Sequence, residues 1–203
     1  MITKDKIILV DADGCLLNWI LSFNVFMHEL GLPQIPATDS NYSIQTRHGI
    51  THEQGRQLIK EFNCSNFIKS LHAFADSKKY VAMLNEKGYS FVVITSLGDD
   101  TESYNNRAEN PRLHFGDAIA GLYCLPVGIA KAKTLEYWEG LNYFWIEDHV
   151  ENAIAGAKLG LRAIVINQPY NSNYIENDDL LHARVSYATP WKEIYDIIIR
   201  EDK

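Results

Sequence analysis

The sequence predicts an α/β protein whose open parallel sheet carries a helical insertion after the first strand. Short apolar runs alternate with segments of helical character, and most of these runs are apolar nearly throughout, as is typical of strands covered on both faces. The interval between the first two runs is too long for a single crossover connection. The predicted strands are residues 6–10, 89–95, 121–125, 143–147 and 162–166.

The composition fits a globular protein of one domain with an insertion. The chain has 203 residues, a hydrophobic fraction of 46% and a net charge of −7, which argues against a broad nucleic-acid surface but allows a small phosphorylated ligand. Its three cysteines are widely spaced and form no CxxC pair, so we expect reduced thiols. Because we find neither a signal-peptide pattern nor a stretch of about 18 apolar residues, we expect a cytoplasmic protein that does not contact a membrane.

The pattern after the first strand predicts a set of helices. Apolar residues recur at helical spacing over 15–32, a loop rich in Pro, Asn and Ser follows at 33–46, and Thr51 with Gln54 can form a capping box. An insertion at this point lies over the carboxyl ends of the strands, where ligands bind in open α/β sheets. The predicted division is a helical cap at 16–72 and a core domain at 1–15 and 73–203.

The helices between the remaining strands have recognisable ends. Gly88 and Gly160 are C-terminal stop signals, because glycine readily adopts the left-handed conformation that ends a helix. Thr189 and Pro190 are predicted to be the N-cap and the first residue of the last helix. The predicted helices before it are residues 76–87, 131–138 and 149–159.

Polar and charged residues occur where the strands end or where the next helix begins. They are Asp11, Asp13, Thr95, Ser96, Lys131, Glu147 and Asp148. Each has an ordinary explanation when taken alone: the acids could cap helices, Thr95 could cap a turn, and Lys131 could be a solvated surface residue. The carboxyl ends of parallel strands meet at one edge of a sheet, so their joint occurrence indicates a site.

The order of these motifs resembles a known family. "DADG", "VVITS", a lysine and "WIED" are similar to the four motifs of the haloacid dehalogenase (HAD) superfamily of phosphatases, and the resemblance extends from about 6 to 168. It implies an open Rossmann-like parallel sheet of strand order 5-4-1-2-3, a helical cap of the first (C1) type, and Mg²⁺ as cofactor. One departure is Asn152, at a position where many members carry a second aspartate.

The residue types suit hydrolysis of a phosphate monoester. A carboxylate and a phosphate dianion repel each other, by roughly 4 kcal/mol for two unit charges about 4 Å apart at an effective dielectric constant near 20, so the site needs positive charge. We hypothesise that Asp11 attacks phosphorus and that Asp13 protonates the leaving group and then activates water. Gly14 would let the backbone turn so that both acids enter the cleft.

The other candidate residues would hold the metal ion and the phosphate. Lys131 and Thr95 are preferred as phosphate ligands, with Ser96 and Lys133 as competing candidates. Oxygen ligands suit Mg²⁺, which the side chains of Asp11 and Asp148 and a backbone carbonyl group could hold. The full set of candidate metal ligands is Asp11, Asp13, Glu147 and Asp148.

Substrate-binding candidates lie mainly in the predicted cap. "DADGCLLNW" is similar to the opening motif of the 5′(3′)-deoxyribonucleotidases, in which an aromatic residue at the position of Trp19 stacks on the nucleobase. Trp19 could equally cover the seam between cap and core. Arg47, with His48 and His52, could contact a substrate or remain solvated, and Arg107 could approach the phosphate from a loop after the second strand.

The leading interpretation is a Mg²⁺-dependent phosphomonoesterase that acts on a small phosphorylated metabolite, with a nucleoside monophosphate as the expected substrate. A sugar-phosphate phosphatase or phosphomutase of the same superfamily is the nearest alternative. A receiver-type phosphoacceptor domain is disfavoured, because it would lack the long insertion after the first strand and would carry its phosphorylated aspartate at the third strand end. A non-catalytic phosphate-binding module is the remaining alternative. The pattern leaves the oligomeric state open.

Overall fold

The computed structural model describes residues 6–36, 38–98, 100–172 and 185–202 and contains one parallel sheet. The strand order is β3-β2-β1-β4-β5-β6, so the predicted α/β class is confirmed and the predicted order is extended by a sixth strand next to β5. The strands are β1 (Ile7–Val10), β2 (Ser90–Ser96), β3 (Ile119–Leu125), β4 (Phe144–Glu147), β5 (Arg162–Ile166) and β6 (Ser186–Ala188).

Strand β1 lies inside the sheet, with β2 on one side and β4 on the other. Val10 pairs with Val93 of β2 and with Ile146 of β4. Ile8, Leu9 and Val10 are fully buried, which explains why this run is apolar throughout rather than alternating. Strand β4 ends one residue beyond the partner of Val10, and β2 ends three residues beyond its partner. The residues that follow β1 and β4 therefore lie at the same edge as the last residues of β2.

The helices fill the intervals between the strands. The segment between β1 and β2 contains α1 (Trp19–Glu29), α2 (Ile44–His48), α3 (His52–Asn63), α4 (Asn66–Lys69) and α5 (Ala75–Glu86). The later helices are α6 (Thr101–Phe115), α7 (Ala132–Leu135), α8 (Val150–Lys158) and α9 (Trp191–Glu201), with 3-10 helices at Gly116–Ala118 and Glu136–Trp138. The predicted capping box is present: Thr51 and Gln54 each accept a hydrogen bond from the backbone N–H of the other.

Two expectations about these elements are wrong. The segment predicted as a loop around Arg107 is the helix α6, which is capped by the side chain of Asp100. The N-cap of α9 is Pro190 rather than Thr189, and the backbone N–H of Thr189 donates instead to Glu193 Oε2 at 2.7 Å. The acid in the first turn of α9 therefore accepts from the residue that was expected to cap the helix.

Residues 16–72, called the insertion below, leave and rejoin the chain at one place. Leu17 forms an antiparallel bridge with Ala73, and the backbone N–H of Asn18 donates to the carbonyl of His72 at 2.8 Å. Asn110 of α6 donates to three carbonyl groups at the end of the insertion, with N···O distances of 3.4, 2.9 and 3.2 Å. The division into cap and core domains remains a prediction, but these contacts hold the two ends of the insertion together and fix its C-terminal end against α6.

The core is continuous between the insertion and one face of the sheet. Phe23, Phe26 and Met27 of α1 are buried in the same apolar cluster as Ile8 and Val10 of β1. The three cysteines are free thiols. Within the described parts of the chain, no helix is both long enough and apolar enough to span a membrane.

Candidate active site

Asp11 stands directly after β1, where it meets a buried lysine. Its backbone N–H donates to the carbonyl of Ile146 at 2.9 Å, which continues the β1–β4 pairing by one residue. Lys131, immediately before α7, places its Nζ 2.8 Å from Asp11 Oδ1. Lys131 is only 3% exposed, so this ion pair is largely shielded from water. Lys133, the competing candidate, is exposed on the same short helix.

Lys131 also pairs with Glu147, the last residue of β4. The Nζ of Lys131 lies 3.2 and 3.3 Å from the two carboxylate oxygens of Glu147. Asn152 of α8 donates to Glu147 Oε1 at 2.6 Å. Burial opposes the charged form of Lys131, but the charges of Asp11 and Glu147 raise the pKa of Lys131 above its ordinary value. Lys131 is therefore a fixed positive charge beside Asp11.

The contacts of Asn152 explain why an amide suits this position. Glu147 is fully buried, and burial followed by the charge of Asp11 raises the pKa of Glu147 well above its ordinary value. An aspartate at position 152 would bring a further negative charge to this buried carboxylate, whereas the Asn152 amide donates a hydrogen bond to it. The asparagine thus suits a site that already contains several acids.

Asp13 is paired with an arginine that comes from α6. Arg107 Nη2 lies 2.6 Å from Asp13 Oδ2, and the Arg107 side chain has no exposed surface. Burial raises the pKa of Asp13, and Arg107 opposes that shift; the Asp13 side chain keeps 24% of its surface exposed, which also moderates the effect of burial. Among the described residues, Nε and Nη1 of Arg107 and Oδ1 of Asp13 have no hydrogen-bond partner. Arg107 and Asp13 therefore keep hydrogen-bonding capacity that no described residue uses.

Asp148 follows β4 and is held from the loop after β5. Tyr170 donates a hydrogen bond to Asp148 Oδ2, and Asn171 Nδ2 donates to the Asp148 carbonyl at 2.7 Å. A Cβ atom on Gly14 would lie 2.2 Å from Asp148 Oδ2, so Asp148 packs directly over this glycine. Burial, followed by the charge of Asp11, raises the pKa of Asp148 to about 7, although the hydrogen bond from Tyr170 opposes the shift.

The charges of this cluster do not balance among the described side chains. Four carboxyl groups face two cationic side chains, Lys131 and Arg107, which leaves a formal surplus of two negative charges when all are ionised. The upward pKa shifts at Asp13, Glu147 and Asp148 share burial as their first cause. A divalent cation with oxygen ligands fits this surplus and this donor set.

Cys15 lies beside the acids but suits a structural role. Its sulfur and one carboxylate oxygen each from Glu147 and Asp148 lie within 4.8 Å of one another. Burial, and next the charge of Asp148, raises the pKa of the Cys15 thiol well above its ordinary value. Because the thiolate is the form that binds metal ions, a thiol held protonated is a poor ligand.

The two hydroxyl candidates at the end of β2 differ in their surroundings. Thr95 lies two residues beyond Val93, the partner of Val10, and therefore at the same edge as Asp11. Thr95 is 1% exposed, and its Oγ1 has no hydrogen-bond partner among the described residues. Ser96 is less buried, and its hydroxyl donates to the carbonyl of Ile129 at 3.5 Å. Thr95 thus has the free hydroxyl of the two.

The substrate-binding candidates from the insertion lie among packing contacts. Trp19 stacks on Phe23 with ring centroids 4.4 Å apart but is only half-buried. Arg47 donates to the backbone carbonyls of residues 39 and 41, so its guanidinium supports the loop that precedes α2. His48 is half-buried beside the Phe23 ring, and His52 is exposed at the start of α3.

Sequence reasoning missed the loop after β5. Gln168, Tyr170 and Asn171 all contact the acid-bearing turns, although none was a candidate. The same strand-end argument that selected Glu147 and Asp148 also applies to the fifth predicted strand, whose end was not considered. Arg107 was a candidate, but its pairing with Asp13 depends on the helical conformation of α6.

No known protein-family profile matches the sequence. The chain is similar to the "Uncharacterized 32.4 kDa protein in Gp30-rIII intergenic region" of Enterobacteria phage T4, with 30% identity over 118 residues. This match covers 56% of the chain and 42% of the phage protein, so the chain corresponds to less than half of the length of that relative.

Solved structures show the fold. The Mycobacterium tuberculosis protein tyrosine kinase A is similar with a TM-score of 0.67 and 13% identity, over 95% of this chain and 97% of that one. D,D-heptose 1,7-bisphosphate phosphatase from B. bronchiseptica, complexed with magnesium and phosphate, has a TM-score of 0.60 and 12% identity over 97% and 99%. A HAD-superfamily hydrolase from Ehrlichia chaffeensis has a TM-score of 0.54 and 11% identity over 98% of both chains. The chain therefore has a HAD-like fold.

Proposed function

We propose that this protein is a Mg²⁺-dependent phosphomonoesterase that works through an aspartyl-phosphate intermediate. The observation that carries the proposal is the cluster at the carboxyl edge of the sheet, where Asp11 lies 2.8 Å from the buried Lys131 and beside Asp13, Glu147 and Asp148. The HAD-like fold supports this chemistry by analogy alone, because one fold can host many functions.

In this proposal a carboxylate oxygen of Asp11 attacks phosphorus, and the bond from phosphorus to the leaving oxygen breaks. Asp13 gives its proton to the departing alkoxide and later takes a proton from the water that hydrolyses the aspartyl phosphate. Arg107 holds the Asp13 carboxyl in place at 2.6 Å. Lys131 and the free hydroxyl of Thr95 bind phosphoryl oxygens, with Ser96 as a weaker candidate.

The cation would be held by Asp11, Asp148 and the backbone carbonyl of Asp13. When bound, Mg²⁺ would offset the repulsion between the Asp11 carboxylate and the phosphate dianion. We assign Glu147 to Lys131 and Asn152 rather than to the ion, because both of its oxygens lie near Lys131 and one accepts from Asn152. Of the four candidate metal ligands from the sequence, the proposal thus omits Glu147 and uses Asp13 only through its backbone carbonyl.

Hydrolysis of p-nitrophenyl phosphate with and without Mg²⁺ tests the proposal. We expect activity that requires Mg²⁺ and falls to background in Asp11→Asn, because an amide is not a nucleophile toward phosphorus. Asp13→Asn should turn over about 10²–10⁴-fold more slowly, the usual contribution of a general acid–base residue. Asp196→Asn is the matched control, since Asp196 pairs with Lys192 on the exposed face of α9. Normal activity in Asp11→Asn would refute the mechanism.

For the substrate we propose a nucleoside monophosphate, with sugar phosphates as the alternative. The half-buried Trp19 ring, stacked on Phe23, supports this choice, because a partly open indole can stack on a base for about 1–3 kcal/mol. A panel of nucleotides and hexose phosphates assayed on wild type and Trp19→Ala separates the two. A hexose-phosphate preference that Trp19→Ala leaves unchanged would remove the nucleotide assignment.

A further inference from the structure

The loop after β5, residues 167–171 and called the β5 loop below, contacts both acid-bearing turns of the site. The hydroxyl of Tyr170 donates to Asp148 Oδ2, and Asn171 Nδ2 donates to the Asp148 backbone carbonyl at 2.7 Å. Gln168 Nε2 donates to the carbonyl of Gly14 at 2.7 Å. One short segment therefore fixes the side chain and the backbone of Asp148 and the turn that follows Asp13.

The β5 loop is itself held in one conformation. The backbone N–H of Gln168 donates to Asn171 Oδ1 at 2.8 Å, and that of Asn171 donates back to the Gln168 carbonyl at 3.1 Å. Asn171 is 3% exposed, and its Nδ2 also donates to the carbonyl of Ile166 at 2.9 Å. The backbone N–H of Asn167 donates to Ala188 of β6 at 2.9 Å. The Tyr170 hydroxyl therefore reaches Asp148 from a loop whose backbone is held by hydrogen bonds.

We propose that the β5 loop orients Asp148 for metal binding and that Tyr170 is the positioning residue. The inference rests on the proposed function, since it assumes that Asp148 is a ligand of the divalent cation. The Tyr170 hydroxyl donates to Oδ2, so Oδ1 would be the oxygen left to bind the ion. Groups that hydrogen-bond to a ligating carboxylate set its orientation, and their loss typically weakens metal binding about 10–100-fold.

The packing around Gly14 restricts the orientation of the Asp148 carboxylate. A Cβ atom at position 14 would lie 2.2 Å from Asp148 Oδ2 and 2.6 Å from the Tyr170 hydroxyl, so both groups occupy the space that a side chain would take. Without the Tyr170 hydroxyl, the Asp148 carboxylate could rotate within this space. Removing that one oxygen therefore tests the positioning role without opening a large cavity.

The test is direct Mn²⁺ binding, followed by the electron paramagnetic resonance signal of the free ion, to wild type and Tyr170→Phe. We expect the Kd for Mn²⁺ to rise about 10–100-fold in Tyr170→Phe. Tyr89→Phe is the matched control, because it also removes a tyrosine hydroxyl bonded to an aspartate, Asp202, at 2.5 Å and outside the site. Its Kd should equal that of wild type. Thermal melts of all three proteins report whether each remains folded.

Three outcomes are distinguishable. Equal Kd values in wild type and Tyr170→Phe would overturn the positioning role while leaving the phosphatase proposal intact. A wild-type protein that binds no Mn²⁺ would overturn both. If Tyr170→Phe does not fold, Gln168→Ala replaces it. The partly exposed Gln168 contributes one hydrogen bond, to the Gly14 carbonyl, that holds the β5 loop against the site. A several-fold rise in Kd in Gln168→Ala would support the inference, and an unchanged Kd would contradict it.

Discussion

At the scale of single residues, Gly14 shows two constraints acting on one position. Its φ angle is +76°, a region that favours glycine, and this is the reason the sequence suggested. The structure adds a second reason, because Asp148 Oδ2 and the Tyr170 hydroxyl occupy the volume of the missing side chain. The second constraint joins residues 134 positions apart in the chain and could not be read from the local pattern.

We predict that Gly14→Ala and Gly31→Ala differ sharply, although their φ angles are +76° and +75°. A Cβ atom at Gly31 would meet nothing within 4 Å. Gly31→Ala should therefore lower the unfolding free energy only by the cost of placing alanine at a positive φ, about 1 kcal/mol, and should keep full activity. Gly14→Ala should lose more stability and most Mg²⁺-dependent activity. Urea unfolding and p-nitrophenyl phosphate assays measure both effects. Equal activity in the two variants would contradict the prediction.

At the scale of elements, α6 explains where sequence reasoning failed. Its buried face consists mainly of polar residues at helical spacing: Ser103, Asn106, Arg107 and Asn110 are all at most 3% exposed. Hydropathy cannot reveal such a helix, because the buried positions carry the same residue types as a solvated loop. Ser103, Arg107 and Asn110 pair with the N-cap Asp100, with Asp13 and with the insertion, respectively, and these partners lie elsewhere in the chain or at the helix end.

We predict that the N-cap of α6 gives a pH-dependent contribution to stability. Hydrogen bonds from Ser103 hold the pKa of Asp100 below its ordinary value. Because that pKa is lower in the folded than in the unfolded chain, ionised Asp100 stabilises the fold above pH of about 4, and the contribution is lost as the pH falls through the folded pKa. Asp100→Ala should lower the unfolding free energy by about 1 kcal/mol near neutral pH and by less in acid.

Urea unfolding of wild type, Asp100→Ala and Asp100→Asn, from near-neutral pH to below about pH 4, measures the contribution of ionised Asp100 to the unfolding free energy. Asparagine is also a good N-cap, so Asp100→Asn should stay near wild type and show no such pH dependence. A deficit in Asp100→Ala that is the same at all pH values would show that ionisation of Asp100 is not involved.

The elements predicted correctly are those with local signals. The five apolar runs became strands β1 to β5, and the capping box of α3 was visible in Thr51 and Gln54. Strand β6 has only three residues, Ser186–Ala188, and its place depends on pairing with β5. The candidate site follows the same division: the position of the acids at the strand ends could be predicted, whereas the contacts of Arg107 and Tyr170 depend on pairing across the fold.

At the scale of the whole molecule, the insertion and the sheet share one apolar cluster. Phe23 of α1 and Phe62 of α3 pack with ring centroids 5.2 Å apart and belong to the same cluster as Ile8 of β1. Because the cluster is continuous, the insertion should not unfold independently of the sheet, even though the sequence predicted it as a separate cap.

We predict a single cooperative unfolding unit. Native-state hydrogen exchange should give similar opening free energies for the most protected amides of α3 and β1. Phe62→Ala should lower both by about 3–5 kcal/mol, the usual cost of truncating a buried phenylalanine. Peptide-resolved exchange followed by mass spectrometry measures these values. An insertion that opens at much lower free energy than β1 would instead support a separately stable cap.

The bridge between Leu17 and Ala73 has a consequence for how this architecture can diversify. Since the two ends of the segment already touch, a replacement of different length begins and finishes at the same anchor points, and the entropy of closing such a loop grows only slowly with its length. Strand β1 and helix α5 would keep their places under such an exchange only if the new segment also supplied apolar side chains that pack on Ile8 and Val10. The junction therefore allows the length of the segment between these two residues to vary without moving the strand end that carries Asp11.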